Sequence, residues 1–221
     1  MLGNQSVASR PVESVLSTNK VIRSTYQLLS MTLLFSAVMA YLSIAMQVSH
    51  GMGLVATIAG IVMLWFVLPR TANSAAGIPV IFAITGLLGF GIGPMVAHYL
   101  AQDPSIVMTA LGGTGVIFLG LSGYAMTTRK DFSFMGGFLM VGMFVIIGAS
   151  LLNIFFGIPA LSLTVSAGVV MIMSGFILYE TSSIIHGGET NYIMATASLF
   201  LSILNLFSAL LHLLGALGGD D

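Results

Sequence analysis

The stretch ALSLTVSAGVVMIMSGFILYETSSIIHGGETNYIMATASLFLSILNLFSALLHLLGAL, Ala160 to Leu217, decides the fold. It holds two apolar runs, 160–185 and 192–217, joined by the turn HGGET. Each run is long enough to cross a hydrocarbon core of about 30 Å at 1.5 Å per residue, and glycine marks the break between them. Read as two crossings, the stretch brings the chain's total to an odd number and sends its ends to opposite sides of a membrane. Read as one crossing with a re-entrant piece, it leaves both ends on the same side.

Positive charge selects the first reading. Seven apolar segments run over 26–47, 53–68, 78–99, 105–126, 134–156, 160–185 and 192–217. The six basic residues are Arg10, Lys20 and Arg23 before the first span, Arg70 after the second, and Arg129 and Lys130 after the fourth. With seven crossings all of them fall on one side, which the positive-inside rule assigns to the cytoplasm. The amino terminus is then cytoplasmic, and the carboxyl terminus, ending Asp220-Asp221, lies outside.

Composition agrees. Of the 221 residues, 57% are hydrophobic and 6% charged, whereas a soluble domain carries roughly 25% charged residues to keep its surface wet. The expected fold class is an all-α, polytopic helix bundle: a single seven-helix transmembrane domain over residues 25–221 behind a cytoplasmic tail, residues 1–24. The first apolar run starts too late and is too long for a cleaved signal peptide. With no cysteine, neither a disulfide framework nor a thiolate metal site is available. Nothing in the charge pattern supports nucleic-acid binding.

In so apolar a chain the polar residues within spans carry the functional information. In the last span Ser198, Ser202, Asn205 and His212 share one face of a helical wheel, with Ser208 at its edge. Such a stripe is expected to face the bundle interior, which makes this helix central. The sixth span offers a matching face of Ser162, Ser166, Met173 and Glu180. Glu180 lies about 7 Å from the cytoplasmic end of its span and Ser202 about 15 Å from the start of the next, so depth pairs Glu180 with Ser198 better than with Ser202. Arg70 is the candidate cation for Glu180, and these residues with Asn205 form a candidate cation or proton latch. Lys20, Arg23, His186 and Glu189 are wetter and are candidate partner contacts. His212 reads as a hydrogen-bonded packing residue. Gly89 and Gly93 read as a small-xxx-small contact between helices.

Enzyme readings fare poorly. GLSG, Gly120 to Gly123, fits the pattern of intramembrane serine proteases, but Ser122 and His212 are expected at opposite ends of the bundle and cannot meet. An aspartyl protease needs two carboxylates sharing a site within the membrane, and the sixth span alone carries one. No His-x-x-x-His or Glu-x-x-His spacing suggests a metal centre.

KDFSFMGGFLM (Lys130 to Met140), LLNIFF (Leu151 to Phe156), ILYETSSIIHGGETNYI (Ile177 to Ile193) and LFLSILNLF (Leu199 to Phe207) occur in this order. Together they resemble the Bax inhibitor 1 family of seven-span membrane proteins, over essentially the whole chain from Lys20 onward. The resemblance to bacterial inner-membrane members implies a multi-pass protein without catalytic activity or resident cofactor. It would bind the ATP-dependent membrane protease FtsH and restrain its action on membrane proteins. The family also implies an alternative, a pH-sensitive calcium leak latched by two aspartates and an arginine. Glu180 stands at the first aspartate position and Arg70 at the arginine, but Ser202 replaces the second aspartate, so that pair of carboxylates is broken.

Overall fold

A computed structural model describes the backbone of residues 10–218 and the side chains of residues 18–218. Its helices are α1 (Arg10–Ala45), α2 (His50–Val62), a π-helical segment (Met63–Val67), α3 (Leu68–Thr71), α4 (Gly77–Gln102), α5 (Pro104–Thr128), α6 (Met135–Phe156), α7 (Pro159–Ile185) and α8 (Tyr192–Leu217). Among the described residues seven helical stretches are long and apolar enough to cross a membrane, with α2, the π-helical segment and α3 together forming one of them. The fold class expected from the sequence is therefore present. Residues 10–24, assigned above to the tail, are helical and run without a break into the first span. Residues 1–9 and 219–221, the terminal Asp220 and Asp221 among them, lie outside the described residues.

The π-helical segment has a local cause. Pro69 has no N–H, so the carbonyl four residues back, that of Trp65, loses its α-helical donor, and the proline ring crowds it. The helix widens by one residue ahead of the proline, and the Leu68 N–H bonds the Met63 carbonyl. Arg70 Nη1 donates to the Phe66 carbonyl in the same turn.

Small residues set the closest contacts. The pairing of α1 with α4 is the most extensive in the bundle. There Gly86 faces the Phe35 ring, Gly89 faces the backbone of Ser36 and Gly93 faces Ser43, so the helices approach as the glycine spacing led us to expect. On the other side of α4, Gly91 sits against Thr57 of α2.

The last helix is the hub. It packs on α7, α1, α5 and α4, and Leu199, Leu206 and Leu211 along it are fully buried. By contrast α6 packs chiefly on α7, with Leu139 its only buried residue. Cross-links between elements show which ends lie together. Asn191 bonds the Ala72 carbonyl and Asn73, Ser182 bonds the Lys130 carbonyl, and Thr196 bonds the Thr25 carbonyl, which gathers the basic residues at one end. At the opposite end Gln102 donates to the Gly215 carbonyl at 3.0 Å.

Candidate functional site

The polar faces of α7 and α8 oppose each other as the helical wheel implied. Ser202 Oγ donates to the Glu180 carboxylate, 3.1 Å from Oε2 and 3.3 Å from Oε1. Midway along the pair, Met173 is buried in one cluster with Leu206. Toward the far end, Ser166 Oγ donates to the Ser162 carbonyl at 3.0 Å, and Ser162 Oγ lies 2.8 Å from His212 Nε2. His212 Nδ1 lies 3.0 Å from the Tyr99 hydroxyl, so one imidazole ties α7, α8 and α4 together. His212 is thus the satisfied packing residue expected.

Depth counted from the ends of the two spans misled on one point. It favoured Ser198 for Glu180, whereas the bond runs to Ser202. Helical side chains lean toward the N-terminus of their own helix, which carries Glu180 inward on α7 and Ser202 outward on α8, so equal residue counts do not mean equal depth.

Toward the basic end, Glu180 borders a cavity of about 240 Å³ that Tyr179, Ser183, Glu189 and Ser198 also line. Glu189 Oε1 accepts from the Asn191 N–H at 2.7 Å. Asn191 is the N-cap of α8: its Oδ1 accepts from the Ile193 and Met194 N–H groups, while its Nδ2 donates to Ala72 and Asn73. The cavity therefore offers carboxylate and hydroxyl oxygens held by a tied-down loop. Its wall contains neither imidazole nor thiolate.

Arg70 does not reach this carboxylate. It is exposed, its guanidinium bonds the carbonyl of its own turn, and no bond joins it to Glu180 among the described residues. The π-helical turn that precedes Pro69 supplies this nearer acceptor. Lys20 and Arg23 are exposed on α1, ten and thirteen residues beyond its first residue. His186 is exposed just beyond α7, with Nδ1 2.9 Å from the Ser182 carbonyl and Nε2 3.2 Å from the Arg129 carbonyl.

Asn205 overturns an expectation. It was placed facing neighbouring helices; instead it is exposed, and its amide has no hydrogen-bond partner among the described residues. Ser208, by contrast, donates to the Leu204 carbonyl of its own helix at 2.8 Å. The wheel located the stripe correctly, but α7 covers only the edge carrying Ser202 and leaves the edge carrying Asn205 open.

The serine-protease reading has no geometric support. Ser122 Oγ lies 3.4 Å from Thr181 Oγ1, which in turn lies 3.2 Å from the Tyr26 hydroxyl, while His212 is engaged at the other end of the bundle. Three contributors escaped the sequence reading. Tyr99 closes the far end, Asn191 pins the near end, and Trp65 lines a crevice beside Ser198. Asn191 was detectable, because Asn directly before an apolar run is a capping signal. Tyr99 and Trp65 carried none, since their partners are remote in sequence. Two aspartates outside the spans are also locally fixed. Hydrogen bonds from the Ser133 backbone and side chain hold Asp131 below the usual carboxylate range, and Ser105 does the same for Asp103.

Residues 18–219 match the family Bax1-I, described as inhibitor of apoptosis-promoting Bax1. A relative from Escherichia coli K12, named modulator of FtsH protease YccA, is 48% identical over 208 residues, covering 94% of each chain. An uncharacterised membrane protein of Vibrio cholerae is 47% identical over 212 residues, covering 95% of each chain. An uncharacterised protein of Pseudomonas aeruginosa is 47% identical over 203 residues and 91% of each chain.

Proposed function

This chain belongs to the Bax1-I family, and from that membership we propose that it works as its Escherichia coli relative is named, as a modulator of the FtsH protease in the bacterial inner membrane. The observation that carries this reading is similarity over 94% of both chains at 48% identity, which leaves no span or connecting loop outside the shared region from residue 18 onward. The architecture supports it. A bundle tied at both ends suits a protein that acts by binding inside the membrane. In this reading the chain has no catalytic activity of its own, and the positive-inside rule places the basic end in the cytoplasm. Raised levels of the wild-type chain should slow degradation of a membrane-protein client of the protease in cells, and the purified protease should be retained by the tagged chain in detergent. Client turnover that stays unchanged, with no retention, would refute the proposal.

A second reading rests on the cavity near Glu180. Two carboxylates and three hydroxyls around about 240 Å³ suit passage of a cation such as calcium. A calcium flux in purified proteoliposomes that Glu180→Gln abolishes would support it. Absence of flux at any pH would remove it.

A further inference from the structure

The hub helix keeps one face unpartnered. Met194, Ser198, Leu201, Asn205, Ser208 and His212 follow one another at spacings of four, three, four, three and four, and each is exposed or half-buried. Their neighbours Ala195, Leu199, Ser202, Leu206 and Ala209 are buried. This alternation is the heptad seam by which one helix receives another at a shallow left-handed crossing. His212 closes the far end of the seam through Ser162 and Tyr99. The stretch from Met194 to Ser208 remains free.

The seam is recessed at its basic end. At the level of Ser198 a crevice of about 210 Å³ lies on one side, walled by Trp65 and Leu68, and the Glu180 cavity lies on the other. Two such recessed faces cannot bring their floors together, which argues against a second copy of this chain as the occupant. A single helix from another protein carries no such walls and can approach the floor.

Asn205 defines what that helix must carry. It stands thirteen residues beyond Tyr192, roughly 20 Å along α8, which is near the centre of the hydrocarbon. A carboxamide there has neither water nor headgroup to bond, and an unpaired amide in that medium is costly. Ser198, one heptad earlier, likewise has no side-chain partner among the described residues.

We propose that the open face of α8, between the π-helical segment and α7, seats one transmembrane helix of the protease, and that a hydrogen-bonding side chain at mid-bilayer depth on that helix pairs with Asn205. The identity of the occupant rests on the function proposed above. The chemistry of the seat rests on α8 alone.

The absence of cysteine makes the test direct, because single cysteines can be placed in the otherwise wild-type chain. Asn205→Cys and Ser198→Cys, labelled with a benzophenone maleimide and reconstituted with the purified protease, should photo-crosslink to a membrane segment of the protease. Val116→Cys on α5 and Phe155→Cys on α6, which lie 74% and 84% exposed, should not. Asn205→Leu should weaken retention of the protease roughly 3- to 20-fold, the range for one interhelical hydrogen bond in a membrane. It should leave the thermal stability of the isolated chain unchanged or raised, because no bond within the bundle is lost. Retention without crosslinks from positions 198 and 205, crosslinks to a second copy of this chain only, or a clear loss of stability in Asn205→Leu would each overturn the seat while leaving the modulator reading intact. A protease that the wild-type chain does not retain would overturn both.

Discussion

The α1–α4 contact allows a stability prediction worked from geometry. In Gly89→Ala the added methyl would fall against the Ser36 carbonyl oxygen and Oγ, and 2.8 Å from the Ser36 carbonyl carbon. Carbon atoms in contact sit about 3.5–4.0 Å apart, so the two helices must separate locally by most of an ångström. The obstacle is backbone and cannot rotate away. Overpacking of this kind costs about 1–3 kcal/mol, and the better helix propensity of alanine returns up to about 1 kcal/mol. A net loss of about 1–2 kcal/mol is expected. Gly112→Ala in α5 is the matched control: a methyl there meets nothing within 4 Å, so only the propensity gain remains. Unfolding of both variants in detergent, followed by far-UV circular dichroism and by fluorescence of the single tryptophan, Trp65, gives the difference directly. Adding Ser36→Ala to Gly89→Ala removes the Oγ collision but not the carbonyl one, and should recover only part of the loss. Equal stability of Gly89→Ala and Gly112→Ala within about 0.5 kcal/mol would refute the argument that glycine sets this approach.

Three further outcomes follow from the site. Ser202→Ala should cost about 0.5–1.5 kcal/mol in the same unfolding assay, and a double-mutant cycle with Glu180→Gln should show that the two losses are coupled; additive losses would mean that the bond contributes nothing. Tyr99→Phe removes one bond from His212 and His212→Ala removes two, so the alanine variant should unfold at clearly lower temperature than the phenylalanine variant, and the reverse order would contradict the clasp. Asp103 caps α5 and its carboxyl is held below the ordinary range by Ser105, so its contribution is present above the ordinary aspartate pKa and is lost as pH falls through the depressed one. Asp103→Ala should therefore flatten the acid limb of a melting-temperature profile below about pH 4, and an unchanged limb would show that the cap is not the cause.

Much of the architecture was legible because a lipid solvent imposes strong rules on sequence. Span length, helical state and the gathering of basic residues at one end follow from the distance to be crossed and from the absence of hydrogen-bond partners in hydrocarbon. The facing of Ser162 and Glu180 toward α8, and the close approach at Gly89 and Gly93, follow from helical periodicity and the size of one missing methyl. That residues 10–24 are helical was not legible, because hydropathy marks where lipid begins and says nothing of where a helix begins.

Pairing across helices was decided elsewhere. That Glu180 meets Ser202 rather than Ser198, and that Arg70 bonds the Phe66 carbonyl of its own helix rather than Glu180, depends on where the neighbouring helices stand. Asn205 and Ser202 lie on the same face of one helix, yet one is open and the other bonded, because α7 covers only part of that face. Periodicity specifies a direction around a helix axis. Which neighbour stands in that direction, and at what height, depends on how all seven helices settle their contacts together.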